Sequence, residues 1–306
     1  MSLAIVSPNR DIKPWLKILE KDSPEIPLEI YPDIVDPEDV EAAMVWQHPP
    51  GALVQFPNLR LICSMGAGVD HILNDKTIGE HIPITRIVDP RLTFSMTNYV
   101  VMGVLNFHRQ INRYIKDKKE RNWDMSNPEI PIKVGVLGVG ELGGDVLDKL
   151  AGMGIEVCGY GNNPKGNFRH SYYYGDQLHD FLNECNVLVC LLPLTEKTAG
   201  FLNIDLFRKC KKGTYLINVA RGKHLVEEDL LVALDEGCLS GALLDVFHKE
   251  PLPKDHPFWY HDKITITPHI ASITNPAAAA PQIIENYRNL KQGKKLINQI
   301  DRKKGY

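Results

Sequence analysis

The sequence contains no long hydrophobic run, since polar or charged residues interrupt every apolar stretch among its 306 residues before membrane-spanning length is reached. A strong charge of one sign is missing as well: 35 Lys and Arg stand against 38 Asp and Glu, for a net charge of −3. Nucleic-acid-binding domains usually carry a basic surface, so nucleic acid is not an expected partner. The N-terminus has no basic segment followed by an apolar one, and neither a signal peptide nor a membrane anchor is expected.

Cysteine pairs at metal-binding or redox spacing are absent too. The six cysteines form no C-x-x-C motif, and several lie inside apolar runs such as N-V-L-V-C-L-L. This pattern predicts buried free thiols and a reducing, cytoplasmic compartment. No metal site is predicted.

Length and periodicity favour two α/β domains. A chain of 306 residues is longer than a domain with a single hydrophobic core usually is. Short β-branched runs alternate with helical stretches, as in parallel sheets covered by helices. We predict a larger domain with a doubly wound parallel sheet over residues 96–276 and a smaller one over residues 1–95 and 277–306. A long helix from Phe94 to Asn122 is expected to connect them.

A G-x-G-x-x-G motif follows the strand predicted over Lys133 to Leu137, with its glycines at Gly138, Gly140 and Gly143. The glycines permit a tight turn, close approach of the backbone to a pyrophosphate, and close helix packing. The next helix would direct its partially positive N-terminus at the phosphates. The motif predicts a dinucleotide site, with a purely structural turn as the alternative. Its predicted contacts also include Glu141 and Leu142.

The choice between NAD and NADP depends on the end of the next strand, which follows the helix after the glycine motif and completes a βαβ unit. NAD-specific sites usually place an Asp or Glu there, where it accepts hydrogen bonds from the ribose hydroxyls. This sequence has Gly161, followed by Asn162, Asn163 and Lys165. A 2′-phosphate would meet no repulsion there, so NADPH is the favoured cofactor. An ordinary polar turn, with NADH bound through backbone groups, remains the alternative.

Three residues with catalytic chemistry each follow the end of a predicted strand: Arg221, Glu250 and His269. The carboxyl ends of strands in an open parallel sheet line one crevice, so the three side chains are expected to converge. A carboxylate beside an imidazole orients it, and an arginine can bind a carboxylate or polarise a carbonyl. This set suits proton-coupled hydride transfer, although each residue taken singly is also compatible with a structural role.

These motifs closely resemble the D-2-hydroxyacid dehydrogenase family, and within it the glyoxylate/hydroxypyruvate reductase A branch. The matching segments include N-V-A-R-G, G-A-L-L-D-V-F-x-x-E-P-L-P, T-P-H-I-A-x-I-T, the terminal D-R-K-K-G-Y, and G-A-G-V-D near Gly66. They cover most of the chain from Trp46 to Tyr306. One departure is Asn98, at a position where many members of the family carry a Glu.

The resemblance implies a role for each site residue. His269 is the expected acid/base, Glu250 its partner, and Arg221 the anchor for the substrate carbonyl and carboxylate. The resemblance also implies that the smaller domain is a flavodoxin-like substrate domain, in which Trp46 is expected to line the substrate pocket. The glycines of G-A-G-V-D are expected to expose a nest of amides for a carboxylate, from Ala67, Gly68 and Val69. Further cofactor contacts are expected from Leu192, Pro193, Thr198, Val219, Ala220 and Asp245, with a helix-capping role as the alternative for Asp245.

The expected function is the reduction of small 2-keto acids such as glyoxylate and hydroxypyruvate, with NADPH as hydride donor and His269 as proton donor. Two alternatives stay open: an NADH-dependent dehydrogenase for another keto acid, and a non-catalytic protein that senses dinucleotide. The resemblance also implies a homodimer formed through the coenzyme domain.

Overall fold

The chain divides into two α/β units in the computed structural model, which describes residues 1–302. Unit 1 consists of Met1–Leu92 and the chain from Thr274 onward, and unit 2 consists of Thr93–Ile273. The sequence placed these boundaries at residues 95 and 276. Each unit contains one parallel sheet, so the two-domain Rossmann-like fold is confirmed. Which unit binds substrate stays a prediction, and residues 303–306 of the D-R-K-K-G-Y motif lie outside the described residues.

Unit 1 is built on a five-stranded sheet in the order β2-β1-β3-β4-β5. Its strands are β1 Ser2–Val6, β2 Leu28–Ile30, β3 Val40–Val45, β4 Leu61–Ser64 and β5 Ile84–Thr85. All of its pairings are parallel, and β1, β3 and β4 are almost wholly buried, as expected for strands covered on both faces. The strand order is that of flavodoxin-like folds.

The helices of unit 1 are α1 Lys13–Asp22, α2 Asp70–Leu73 and α9 Pro276–Lys291. The C-terminal helix α9 begins where Asn275 caps it through its side chain and Pro276 occupies the first turn. Its buried face packs with that of α1 in one apolar cluster, which includes Trp15, Leu19 and Ile283.

Unit 2 is built on a seven-stranded parallel sheet in the order β12-β11-β10-β9-β6-β7-β8. Its strands are β6 Lys133–Leu137, β7 Glu156–Gly161, β8 Ser171–Tyr174, β9 Val187–Cys190, β10 Thr214–Asn218, β11 Leu239–Leu244 and β12 Ile264–Ile266. The order reverses at β6 and β9, which is the doubly wound arrangement that the sequence predicts. The strands β9 and β10 are completely buried.

The α-helices around this sheet are α3 Pro90–His108, which begins in unit 1, and α4 Ile111–Glu120, α5 Glu141–Gly152, α6 Leu178–Glu184, α7 Ile204–Phe207 and α8 Glu227–Asp235. Two apolar clusters form the core of the unit. One of them joins α3, through Val100 and Val104, to strand residues such as Val136 and Ile217.

The structure corrects two expectations about these elements. The predicted helix from Phe94 to Asn122 is two helices, since α3 ends at His108 and Gln110, which directly precedes α4, adopts a left-handed backbone (φ 55°). The edge strand β8 was missed, because its sequence S-Y-Y-Y has no alternation of apolar and polar residues.

The cysteines are free thiols, and Cys63, Cys158, Cys185 and Cys190 are buried. Cys210 and Cys238 are only partly buried. None of the helices formed by residues 1–302 is both long and apolar enough to cross a bilayer.

Candidate active site

The three candidate catalytic residues follow three neighbouring strands of unit 2. Arg221 follows β10, Glu250 follows β11, and His269 follows β12. Because β10, β11 and β12 are adjacent and parallel, their carboxyl ends meet at one edge of the sheet. The structure therefore brings together the residues that the sequence predicts to converge.

His269 and Glu250 form a direct pair. The Nδ1 atom of His269 lies 2.7 Å from Oε2 of Glu250. A carboxylate accepts hydrogen bonds, so this contact assigns the hydrogen to Nδ1 and leaves Nε2 facing away from the pair. Both side chains are about one-third exposed, at 32% for His269 and 28% for Glu250, which leaves the imidazole accessible to a small molecule.

The position of Glu250 is fixed by a second hydrogen bond, which its Oε1 accepts from the backbone amide of Phe247 at 3.0 Å. Burial by itself would raise the pKa of Glu250. The hydrogen bonds from His269 and Phe247, with the charges of His269 and Arg221, outweigh that effect and lower the pKa below its ordinary value of 4.5. Glu250 is therefore ionised at neutral pH, as a partner for a protonated imidazole must be.

Arg221 lies at the start of a short 3₁₀ turn, Gly222–His224, and its Nη1 donates to the carbonyl of Ala220 at 2.7 Å. The turn is tightly packed, since a Cβ on Gly222 would collide with the backbone of Phe247. The buried ring of His224 lies with Nδ1 3.1 Å from the carbonyl of Arg221 and Nε2 3.3 Å from that of Pro193. The backbone on which Arg221 stands is thus held from both sides.

The loop that carries His269 is anchored by Asp245, which is fully buried. Its carboxylate accepts hydrogen bonds from the amides of Ile270 and Ala271, each at 2.8 Å, and from Oγ1 of Thr267 at 2.6 Å. The structure thus gives Asp245 a position that the sequence did not predict, at the base of the His269 loop. The cofactor contact expected of Asp245 stays a prediction.

Tyr99 extends this network from helix α3, since its hydroxyl is hydrogen-bonded to Oγ1 of Thr267. Burial raises the pKa of Tyr99, so the hydroxyl is protonated and donates to Thr267, which in turn donates to Asp245. Neither Tyr99 nor Thr267 was predicted from the sequence to belong to the site. The one available signal was a hydroxyl on the apolar face of α3, where buried tyrosines usually need a partner.

His269 itself has a left-handed backbone, with a φ of 55°. Such a conformation costs roughly 1–3 kcal/mol in a residue other than glycine, and it persists only where surrounding contacts enforce it. The hydrogen bonds from the next two amides to Asp245 provide that enforcement.

The glycine motif has the geometry that a pyrophosphate requires. Gly138 has a φ of 92° and makes the tight turn after β6, while a Cβ on Gly143 would collide with the carbonyl of Gly138. A Cβ on Gly140 would meet nothing within 4 Å, so the space in front of α5 is open. No side chain caps this helix at Gly140, which leaves its first amides available to an anion. These residues fit a dinucleotide.

The end of β7 carries no acid, and a Cβ on Gly161 would lie 2.4 Å from the hydroxyl of Tyr172, so an acid at this position would require the tyrosine side chain to move. That hydroxyl donates to the carbonyl of Asn163 at 2.9 Å. The ammonium of Lys165 bonds to the carbonyl of Val139, inside the glycine motif, and lies 5.4 Å from the ring centre of Phe168. A cation thus lies beside the turn at which an adenosine ribose would be expected.

The remaining predicted cofactor residues follow β9 and β10. Thr198 donates to the carbonyl of Pro193 at 2.6 Å and accepts from the amide of Thr195 at 2.8 Å, which closes the loop after Leu192. Val219 and Ala220 are buried directly after β10. Both loops leave the carboxyl ends of strands on the same side of β6, with β9 next to β6 and β10 next to β9, as the predicted dinucleotide site requires.

The predicted substrate residues lie in unit 1. Trp46 follows β3 and is partly buried, with its ring centre 4.9 Å from that of His71. A Cβ on Gly66 would lie 2.5 Å from the indole, so only glycine allows this packing. The next three amides, those of Ala67, Gly68 and Val69, have no hydrogen-bond acceptor among residues 1–302, which is the state expected of an anion-binding nest.

Comparison with known proteins places these features in a family. The family described as D-isomer specific 2-hydroxyacid dehydrogenase, NAD binding domain, matches residues 101–271, which lie within unit 2. The glyoxylate/hydroxypyruvate reductase A of Photorhabdus laumondii is 39% identical over 314 aligned residues, with 100% of both chains covered.

Solved structures agree over the whole chain. A D-isomer specific 2-hydroxyacid dehydrogenase of Xanthobacter autotrophicus in complex with NADPH and MES has a TM-score of 0.92 at 36% identity, covering 100% of this chain and 99% of that one. The NADPH-dependent glyoxylate/hydroxypyruvate reductase of Sinorhizobium meliloti in complex with NADP and sulfate has a TM-score of 0.91 at 32% identity, covering 100% of both chains.

Proposed function

The chain belongs to the D-isomer specific 2-hydroxyacid dehydrogenase family, and we propose that it reduces small 2-keto acids, glyoxylate and hydroxypyruvate among them, with NADPH as cofactor. The observation that carries this proposal is the pairing of His269 with Glu250 at the strand end next to that of Arg221. The names of the similar reductases supply the substrate class, and the bound NADPH or NADP of two similar structures supports the cofactor.

When bound, NADPH supplies the hydride that reaches the keto carbon. His269, protonated and held by Glu250 through Nδ1, donates the proton on Nε2 to the keto oxygen. Arg221 stabilises the negative charge that develops on that oxygen and orients the substrate carboxylate. In the reverse direction, neutral His269 accepts the hydroxyl proton at the same nitrogen.

Residues of both units take part in this proposal. In unit 2, the glycine motif and the first amides of α5 bind the pyrophosphate, and Asn162, Asn163 and Lys165 hold the 2′-phosphate. In unit 1, the amides of residues 67–69 bind the substrate carboxylate, and Trp46 limits the size of the substrate. These assignments rest on the open space at Gly140, the crowded position of Gly161 and the unsatisfied amides.

Steady-state kinetics on a panel of 2-keto acids, each with NADPH and with NADH, test the proposal directly. We expect turnover with glyoxylate and hydroxypyruvate and a lower KM for NADPH than for NADH. Absence of turnover with every 2-keto acid, despite binding of the dinucleotide, would favour a sensor of dinucleotide instead.

Lys165→Met sharpens the cofactor assignment. Because an ammonium that bonds a phosphate contributes about 1.5–3 kcal/mol, the KM for NADPH should rise roughly tenfold or more, whereas the KM for NADH should change little. Lys149→Met, on helix α5 of the same unit, is the matched control. An equal rise in both KM values would assign Lys165 to the fold of the glycine turn, through its bond to Val139.

We also propose a homodimer formed through unit 2. Large apolar side chains are exposed on and after α4, with Trp123 at 90% and Met125 at 77%, and Ile115 lies nearby in sequence at 51%. A monomer rarely leaves such side chains in water, and a partner subunit would bury them. Sedimentation analysis tests this; a monomer at micromolar concentration would contradict it.

A further inference from the structure

The sheet of unit 1 has a crevice of its own. Its order, β2-β1-β3-β4-β5, changes direction between β1 and β3. In open parallel sheets, ligands bind outside the carboxyl ends of the strands at such a point. Arg10 follows β1, and Trp46 follows β3. The two side chains therefore flank the position at which this unit is expected to bind a ligand.

Arg10 lies between two indole rings. Its Cζ is 5.4 Å from the ring centre of Trp46 and 5.8 Å from that of Trp15, which is almost completely buried. Both distances are within the range of cation–π interactions. The planar guanidinium is thus held in place before any ligand arrives, which reduces the entropy lost on binding.

Among the residues that the structure describes, the guanidinium has no partner other than these rings. Over residues 1–302, its nitrogens donate no hydrogen bond and no carboxylate lies within ion-pair distance of them. The neighbouring acid, Asp11, instead accepts from the amide of Lys13 at 3.0 Å. Because the side chain is partly buried with no carboxylate nearby, desolvation lowers the pKa of Arg10, although an arginine remains charged. A partly buried cation with unused donors suits an oxygen atom of a ligand.

The backbone holds Trp46 firmly beside Arg10. Gln47, the next residue, adopts a left-handed conformation with a φ of 46°, and Gly66 allows the indole to pack directly on its backbone. The imidazole of His71 also lies beside the indole, with the two ring centres 4.9 Å apart. The indole of Trp46 is therefore held in one position, and the guanidinium of Arg10 lies against its ring.

Strand spacing indicates which end of a substrate Arg10 meets. Neighbouring strands are about 4.8 Å apart, so the end of β1, which Arg10 follows by four residues, is two strands or roughly 10 Å from the end of β4, which the amides of residues 67–69 follow. A 2-keto acid with its carboxylate on those amides would extend its far end past Trp46. We propose that Arg10 binds an oxygen substituent on C3 of the substrate and thereby favours three-carbon 2-keto acids that carry one over those with a C3 methyl; this role rests on the proposed function.

Arg10→Met tests the role, because methionine keeps an apolar stem against the two indoles and removes the donors. The quantity to measure is the ratio of kcat/KM for hydroxypyruvate, which has a C3 hydroxyl, to kcat/KM for pyruvate, which has a C3 methyl. Loss of a hydrogen bond to a charged group predicts a fall of this ratio by roughly tenfold or more. Arg60→Met, a surface arginine of unit 1 paired with Glu41, should leave the ratio unchanged.

A ratio that stays the same in Arg10→Met, whether both activities fall together or neither changes, would overturn the proposal and leave Arg10 as a support for Trp46. The wild-type protein offers a test that needs no variant. Glycerate should inhibit at least about tenfold more tightly than lactate, which lacks the C3 hydroxyl, and equal inhibition would also overturn the role. Failure of the wild-type protein to reduce either keto acid would instead contradict the proposed function.

Discussion

The loop around His269 in unit 2 and the segment around Trp46 in unit 1 share a backbone conformation, but their polar groups are satisfied differently. Each follows a strand of a parallel sheet, and each contains a non-glycine residue with a left-handed backbone, His269 in one and Gln47 in the other. In the His269 loop, protein groups satisfy the polar atoms: Glu250 pairs with the imidazole, and Asp245 accepts from the flanking amides. In unit 1, the guanidinium of Arg10 and the amides of residues 67–69 have no such partners within residues 1–302.

This difference separates two tasks. A proton donor must be held in one orientation before the substrate arrives, so its hydrogen bonds are made within the protein. A recognition surface must leave donors for the ligand, so its order comes from packing, as in the contacts of Arg10 and Gly66 with the indole of Trp46. Variants of His269, Glu250 and Tyr99 test how the proton donor is held, and Arg10→Met tests the recognition surface.

His269→Ala should have the largest effect. A positioned acid contributes about 10² to 10⁴-fold, so kcat should fall by that factor while the affinity for NADPH is retained. Single-turnover kinetics and fluorescence titration with NADPH measure the two quantities. His179→Ala, on the exposed surface of α6, is the control. Near wild-type turnover in His269→Ala would remove His269 from the chemistry.

Glu250→Gln should have the next largest effect, because the amide cannot stabilise a protonated imidazole through a charge-assisted hydrogen bond. We expect kcat to fall roughly 10- to 100-fold, the equivalent of about 1.5–3 kcal/mol.

The pH dependence follows from the sign of the shift at Glu250. Because its pKa is lowered from 4.5, the carboxylate and its contribution to the pair are present above that pH, and both are lost as the pH falls through the lowered value. A kcat profile of the wild-type protein should therefore show no loss from protonation of Glu250 between about pH 5 and 8. A loss in that range which disappears in Glu250→Gln would contradict the shift.

Tyr99→Phe should have the smallest effect and is the sharpest test of orientation. It removes one hydrogen bond from the chain that ends at Asp245, so kcat should fall roughly 2- to 10-fold with little change in KM. Tyr215→Phe is a matched control in the same apolar cluster, since burial raises the pKa of Tyr215 to about 12 and its hydroxyl bonds to Thr265.

Both tyrosine variants should lose similar thermal stability, because each loses one buried hydroxyl and its hydrogen bond. Only Tyr99→Phe should lower kcat, since Thr267 belongs to the loop of His269 and Thr265 lies within β12. Equal kcat values for the two variants would limit Tyr99 to a role in stability.

Much of the fold was predictable from local patterns. The buried runs of β6, β9 and β10 are continuous and apolar. After β6, Gly138 allows the positive φ of the turn, and Gly143 allows the helix to approach the carbonyl of Gly138. The edge strand β8 and the break at Gln110 were not predictable, because a tyrosine-rich edge strand lacks periodicity and a left-handed glutamine carries no local signal.

The sequence by itself determined which residues stand at the ends of the strands, and the parallel order of β10, β11 and β12 then brings Arg221, Glu250 and His269 to one edge. Only the tertiary structure decided what holds and surrounds them. Tyr99 meets Thr267 across 168 residues of sequence, and Arg10 comes to lie between Trp15 and Trp46. The physical reason is that such contacts depend on how a helix packs on a sheet. A periodicity of 3.6 or 2 residues identifies the apolar face of a helix or strand, but it does not identify the element against which that face packs.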